Sequence, residues 1–212
     1  MALQFDKHKQ ILLYVRVDDF VKKESLTIEH YDNNADAFWE GTKDHDVTQN
    51  IQTFLDTLPK GKPLDILDLG CGPGRDLHYF KSLGHNPVGL DGSKKFCEMA
   101  QQYSGCPILR QNFSGMDLAN YQFNGVFANA SLFHVPKAKL ADVLKTIYAS
   151  LAPNGILFMS NPRGQGELWQ GQRYGHYMEL DACQAFIEQA GFNVLHHYYR
   201  PEGQPRNKQP WL

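Results

Sequence analysis

The stretch LDILDLGCGPGRDLHYF, from Leu64 to Phe80, constrains the fold more than any other part of this chain. It reads as a short apolar strand, a tight glycine turn and the first turn of a helix. Gly70, Gly72 and Gly74 let the backbone bend sharply and let a ligand approach it closely. The helix that follows points its free N–H groups at the same spot. Two common ligands are excluded by the spacing. A phosphate-cradling Walker loop ends in Gly-Lys-Ser/Thr, and here the residues are Gly74, Arg75 and Asp76. A dinucleotide fingerprint requires a third glycine where Arg75 stands.

Beyond the turn, apolar runs and amphipathic segments alternate. Strands are predicted at 64–69, 86–90, 107–111, 123–129, 155–161 and 193–199, with helices at 74–83, 93–103, 137–151 and 181–190. Such alternation implies right-handed crossovers and a mostly parallel α/β sheet with helices on both faces. Upstream, HYDNNADAFWEGT and DVTQNIQTFLDTL read as two helices, the second carrying Ile51, Phe54, Leu55 and Leu58 on one face. Residues 1–30 form an extension in which ILLYVRV is read as a strand or a buried segment. Residues 31–212 are read as one domain, with lid helices at about 31–58 and the core at 64–212.

The formal net charge of −2 argues against a general nucleic-acid or membrane-surface binder. No apolar run approaches the roughly 20 residues of a membrane span. The N-terminus carries no signal-peptide cleavage pattern. Cys71, Cys97, Cys106 and Cys183 are scattered and fit no zinc spacing, so no metal site is expected and the cytoplasm is the expected location.

Chemistry concentrates at the predicted carboxyl ends of the strands, where open α/β sheets bind ligands. Asp91 ends the second strand, seventeen positions after Gly74, and can accept from both hydroxyls of a ribose; the bland alternative is a helix cap made by Asp91 or Ser93. At the third strand end, Asn112 can meet the exocyclic amine of a nucleobase and Phe113 can cover its ring. The fourth strand ends in Asn129 and Ser131, followed by Phe133 and His134, where His134 is a base, a substrate contact or a histidine packed under the loop.

Taken together, DLGCGPG, GLD, QNF, FANASLFHV and LAPNGILFMS resemble the class I S-adenosylmethionine-dependent methyltransferases over roughly residues 64–160. That resemblance implies a Rossmann-like sheet under an N-terminal helical lid. It implies S-adenosylmethionine as cofactor, leaving as S-adenosylhomocysteine, held by Asp68, Gly70, Gly72, Gly74, Asp91, Gly92, Ser93, Asn112, Phe113 and Asn129. Asn112 departs from the aspartate of many members, though its amide oxygen can still accept from an adenine amine.

A further set, WEGTKDHDVTQNI, GVFANASLFHVP, SNPRG, RYGHY and HYYRPEGQPRNKQPWL, is similar to the methyltransferase portion of ovothiol-synthesising enzymes, here standing alone. The resemblance implies transfer to an imidazole nitrogen of 5-thiohistidine, a thiohistidine-like amino acid as the small-molecule partner, and a separate sulfoxide synthase upstream. Neither nucleic acid nor membrane is expected as a partner. Other small-molecule methyl acceptors, and a binder that holds the cofactor without turnover, are the alternatives. His134, Tyr31 and His45 are expected as proton acceptors or relays. Arg163 is the expected partner of the substrate carboxylate, with Arg173 and Arg200 in reserve. Trp39, Phe133, Asn161, Tyr174 and Tyr199 complete the expected substrate wall. The final strand of such a fold would continue past Trp211, and a trimmed tail is expected from the stop at Leu212.

Overall fold

The computed structural model describes residues 7–212, with side chains from residue 19 onward. Five strands form one parallel sheet: β1 (Asp65–Leu69), β2 (Asn86–Asp91), β3 (Ile108–Arg110), β4 (Phe123–Asn129) and β5 (Leu151–Ser160), in spatial order β3-β2-β1-β4-β5. Strand order reverses between β1 and β4, which opens a crevice beyond their carboxyl ends. No described helix is long and apolar enough to cross a membrane.

Side chains alternate across the sheet because a strand repeats every two residues. Leu67, Leu69, Leu90 and Val126 pack into the core beneath α6 (Lys137–Ser150). Ile66 and Phe127 point the other way, into a cluster with Phe80 of α4 (Arg75–Ser82) and with Ile51, Phe54 and Leu58 from α3 (Thr48–Thr57) and its C-cap. Gly125 of β4 leaves the room that Phe54 fills, since a Cβ there would lie 2.5 Å from the Phe54 ring. α5 (Lys94–Ser104) starts on Ser93, whose hydroxyl accepts from the Phe96 N–H, and ends on Gly105 at φ +63°.

The N-terminal segment is helical rather than extended: α1 spans Lys7–Asn33 and includes ILLYVRV. It is followed by α2 (Ala35–Thr42). The helix α7 (Leu180–Gln189) lies where it is predicted, whereas β5 begins earlier. Its pairing with β4 jumps from Phe123↔Leu151 to Gly125↔Ile156, so Ala152–Gly155 bulge out of the ladder around Asn154 at φ +63°.

Two departures reshape the far side. Between β5 and α7 stands an antiparallel hairpin, β6 (Gly166–Gln170) and β7 (Arg173–Tyr177), closed by two residues at Gly171, φ +62°. The strand predicted at 193–199 does not form: this stretch joins no ladder, Leu195 is 72% exposed, and Arg200 just beyond it bridges to Trp211, as Pro162 does. The backbone beyond β5 is instead taken by the tail. Asn161 exchanges hydrogen bonds with Leu212, and the Arg163 N–H donates to Pro210.

Phe54 anchors α3 to the sheet with only 1% of its surface exposed. Replacing it by alanine empties the space beside Gly125, so Phe54→Ala should lower stability by about 3–5 kcal/mol in a denaturant titration.

Candidate functional site

Gly70, Gly72 and Gly74 all adopt positive φ, at +77°, +52° and +95°. A Cβ on Gly70 would stand 2.4 Å from Ser131 Cβ, and one on Gly74 would stand 2.7 Å from Ala100 Cα. Gly72 is different: its added Cβ would meet only Phe38 Cε1, at 3.8 Å, so that face of the turn is open to a ligand. The turn is fixed from β2 by Asp91, whose Oδ2 accepts from the Gly72 N–H at 3.0 Å and whose Oδ1 accepts from the Ser93 N–H at 2.8 Å. Burial raises the Asp91 pKa to about 6, against the pull of those two N–H donors. The β3 end closes around the same spot. Phe113 Cζ lies 3.1 Å from where a Gly70 Cβ would be, and Asn112 Oδ1 lies 3.3 Å from that of Gly92. Asp68 is buried on β1 with Oδ2 unpartnered, and burial, then the nearby Asp76 charge, raises its pKa well above the carboxylate range.

Ser93 caps α5, and its hydroxyl also donates to Asp32 of α1. The Lys95 N–H donates to the same Asp32 oxygen, so α1 is tied across the β2 end.

The cleft beyond the strand ends has a volume of about 1360 Å³ and runs on as a groove along β5. Tyr31, Trp39, His45, Gly70, Gly72, Asn129, Phe133 and Arg173 all line it, so the structure brings together site residues predicted from widely separated segments. Tyr31 and His134 are joined directly. His134 Nδ1 lies 2.6 Å from the Tyr174 carbonyl, which fixes Nδ1 as the protonated nitrogen. Nε2 therefore accepts, and the Tyr31 hydroxyl donates to it at 2.8 Å. Burial lowers the His134 pKa from 6.5 to about 4. The unfolded chain binds this proton in that window and the folded chain does not, so His134 makes stability rise with pH there. Asp91 acts in the opposite sense, since its folded pKa is raised. Both ring nitrogens of the neutral His134 are engaged within the protein.

Three expected substrate contacts are occupied elsewhere, and a fourth, Asn161, keeps a buried Oδ1 without a partner. Arg163 Nε and Nη2 donate to Glu179 Oε2 at 2.9 and 2.8 Å, and its Nη1 donates to the Arg206 and Gln209 carbonyls. It holds the tail in place, with four of its five N–H donors used within the protein. Tyr199 lies under that guanidinium, 5.0 Å from ring centroid to Cζ. Tyr174 is buried with its hydroxyl on Glu167. Asn161 is buried with its backbone paired to Leu212.

One polar hub escaped sequence reasoning. Asn50 of α3, 2% exposed, donates from Nδ2 to Asn129 Oδ1 at 2.9 Å. Its Oδ1 accepts from Tyr198 and Arg200, both at 3.0 Å. Asn129 also accepts from Ser160 and donates to Asp76, which in turn holds Arg75 through two contacts, at 2.7 and 3.1 Å. Arg75 Nη1 reaches the Thr42 carbonyl at the end of α2. The available sequence signal was the position of Asn50 on the face of α3 that also carries the buried Phe54.

A methyltransferase-domain family matches residues 66–155. Over 110 residues the chain is 28% identical to a malonyl-[acyl-carrier protein] O-methyltransferase of Enterobacter lignolyticus, a match covering 51% of this chain and 43% of that protein. It is 30% identical to an uncharacterized Haemophilus influenzae protein, covering 60% and 59%. The chain thus spans about half the length of the curated relatives it matches. Among solved structures, the Burkholderia thailandensis 1,6-didemethyltoxoflavin-N1-methyltransferase with bound 1,6-didemethyltoxoflavin and S-adenosylhomocysteine superposes with a TM-score of 0.67. That match has 19% identity and covers 84% of this chain and 81% of the other. Residues 66–155 match the methyltransferase-domain family, and the five-stranded parallel sheet has the Rossmann-like fold of the S-adenosylmethionine-dependent methyltransferases among the solved structures.

Proposed function

We propose that this chain transfers a methyl group from S-adenosylmethionine to a small nucleophile in the cleft, and that the acceptor is an imidazole ring nitrogen of 5-thiohistidine, giving ovothiol A. One observation carries the acceptor reading. The segments that resemble the ovothiol methyltransferase portion are far apart in the chain, yet they share one cavity: Trp39 and Asn50, Asn129 and Phe133, Arg173, and His197 and Arg200 all line it. The carbon–sulfur bond of such a substrate would be made by a separate enzyme. A cytoplasmic setting fits four cysteines that are all free thiols.

The residues present fit the cofactor. Gly72 offers open backbone, the Asp91 carboxylate sits directly on the turn, and Phe113 and Asn112 close in on Gly70 and Gly92 beside it. When bound, S-adenosylmethionine supplies an electrophilic methyl group on a sulfonium centre. Asp91 would accept from the ribose hydroxyls, and Phe113 would cover the adenine ring. Tyr31, oriented by His134, keeps its oxygen lone pairs for an N–H of the acceptor, which turns the opposite ring nitrogen toward the methyl group. A neutral imidazole nitrogen needs alignment more than deprotonation, and alignment is what a fixed phenol provides. Thiolate sulfur is the stronger nucleophile, so selectivity for nitrogen comes from geometry.

Three outcomes test the reading. Mass spectrometry of incubations with S-adenosylmethionine should show methyl transfer to the ring nitrogen of 5-thiohistidine and none to histidine or ergothioneine; a cofactor-bound protein that modifies none of them sends the search to other small nucleophiles. Tyr31→Phe should lower kcat at least about tenfold while leaving the KM for the cofactor in place. Only the ionised form of Asp91 can accept from both ribose hydroxyls. Affinity for S-adenosylhomocysteine should therefore weaken about tenfold per pH unit below about 6. Calorimetry across that range should show the slope in the native protein and lose it in Asp91→Asn, whereas a flat native profile removes Asp91 from the ribose.

A further inference from the structure

Three arginines face the cleft, and two of them are already tied to other groups of the protein. Arg75 is paired with Asp76 and donates to the Thr42 carbonyl. Arg200 donates to Asn50 Oδ1 and to the Asp46 carbonyl. Arg173 is different. Its Nη2 meets only Gln170 Oε1, at 3.2 Å, and its Nε is buried with no acceptor. Among the described residues, no carboxylate pairs with it, whereas Arg75 and Arg163 each have one. A buried N–H without an acceptor costs stability, and an occupant that supplies the acceptor recovers it.

The position of Arg173 says which ligand this is. It is the first residue of β7, whose strand packs against α1 and against the 3₁₀ turn Leu132–His134. The Thr27 hydroxyl oxygen of α1 accepts from the Tyr174 N–H at 3.0 Å, and the Tyr174 carbonyl fixes His134, so the strand carrying Arg173 also holds the Tyr31–His134 pair. Arg173 lies beside the Tyr31 phenol and opposes the rise in its pKa that burial imposes. Burial, then the Arg173 charge, lowers the His30 pKa, and the same charge bears on His134, which burial already keeps neutral. Arg173 is therefore the cation of this wall, beside the Tyr31 phenol.

Resting on the methyltransferase reading above, we propose that Arg173 is the anchor for a carboxylate of the methyl acceptor, so that the substrate class is a small amino acid or similar carboxylate-bearing molecule whose reacting ring lies against Tyr31. A guanidinium fork matches a carboxylate in plane with two parallel hydrogen bonds, which fixes direction as well as distance. The free Nε and the remaining Nη donors supply that fork. Arg163, the carboxylate partner expected from the sequence, is replaced in this role because Glu179 already occupies it.

Calorimetry on the full chain tests the assignment. S-adenosylhomocysteine and 5′-methylthioadenosine, which lacks the amino-acid end, are titrated first. Into the S-adenosylhomocysteine-loaded protein are then titrated 5-thiohistidine and its decarboxylated amine. The native protein should bind the carboxylate-bearing ligand at least about tenfold more tightly than the amine, as a charge-assisted pair would give. Arg173→Ala should abolish that preference and leave S-adenosylhomocysteine affinity unchanged, and Arg173→Lys, which keeps the charge but not the fork, should restore part of it. Equal binding of the two ligands to native protein, including no binding of either, overturns the proposal, as does a preference that survives Arg173→Ala. A tenfold loss for S-adenosylhomocysteine in Arg173→Ala with none for methylthioadenosine also overturns it, by giving Arg173 to the cofactor's own carboxylate. Failure of the native protein to bind S-adenosylhomocysteine at all would instead strike the methyltransferase reading itself.

Discussion

The grip of Asp91 on the glycine turn is the contact on which the rest of the site depends. A strand that ends and turns into a helix within five residues leaves several backbone N–H groups without partners. One carboxylate from the neighbouring strand takes the Gly72 N–H there and the Ser93 N–H of its own turn, and so locks β1 to β2 at the point where both strands leave the sheet. Ser131 behind Gly70 and Ala100 behind Gly74 fill the space into which a side chain at either position would grow. The turn can therefore approach a ligand closely because everything on its other side is already packed.

The opposite wall is built by different means. α1, the 3₁₀ turn and β7 contribute one group each to a chain that runs from the Tyr174 carbonyl through His134 to the Tyr31 hydroxyl. Burial keeps the imidazole neutral, and neutrality is what allows it to accept from the phenol. A charged imidazole would have nothing to accept with, and the phenol would turn away. Desolvation, usually an expense, here sets the direction of a hydrogen bond.

Much of this was legible in the sequence, for local reasons. Each of the first four strands is a short apolar run with turn residues at its carboxyl end, so strand and ligand-facing residue are read together, as with Leu90 and Asp91. The hairpin was not legible, because β6 is exposed along its whole length and shows no buried face to produce an alternating pattern. The stretch 193–199 misled for the opposite reason: it is rich in strand-forming residues but joins no ladder. The choice between Arg163 and Arg173 turned on Glu179, a partner sixteen positions from Arg163 that spacing cannot assign. The place of His134 after β4 was readable, but its two ring contacts, to Tyr31 and to the Tyr174 carbonyl, join segments that spacing cannot connect.

The amide of Asn50 ties together α3, the carboxyl ends of β4 and β5, the start of α4 and the tail around Arg200. Groups that share donors and acceptors in this way do not contribute independently. Loss of any one member leaves the same neighbours unsatisfied, so a second loss nearby costs less than the first. For sequence drift this means that positions 50, 76, 129 and 200 form one epistatic block. Each is intolerant of single change, and exchange is easier when several change in concert, although they lie in four different segments of the chain.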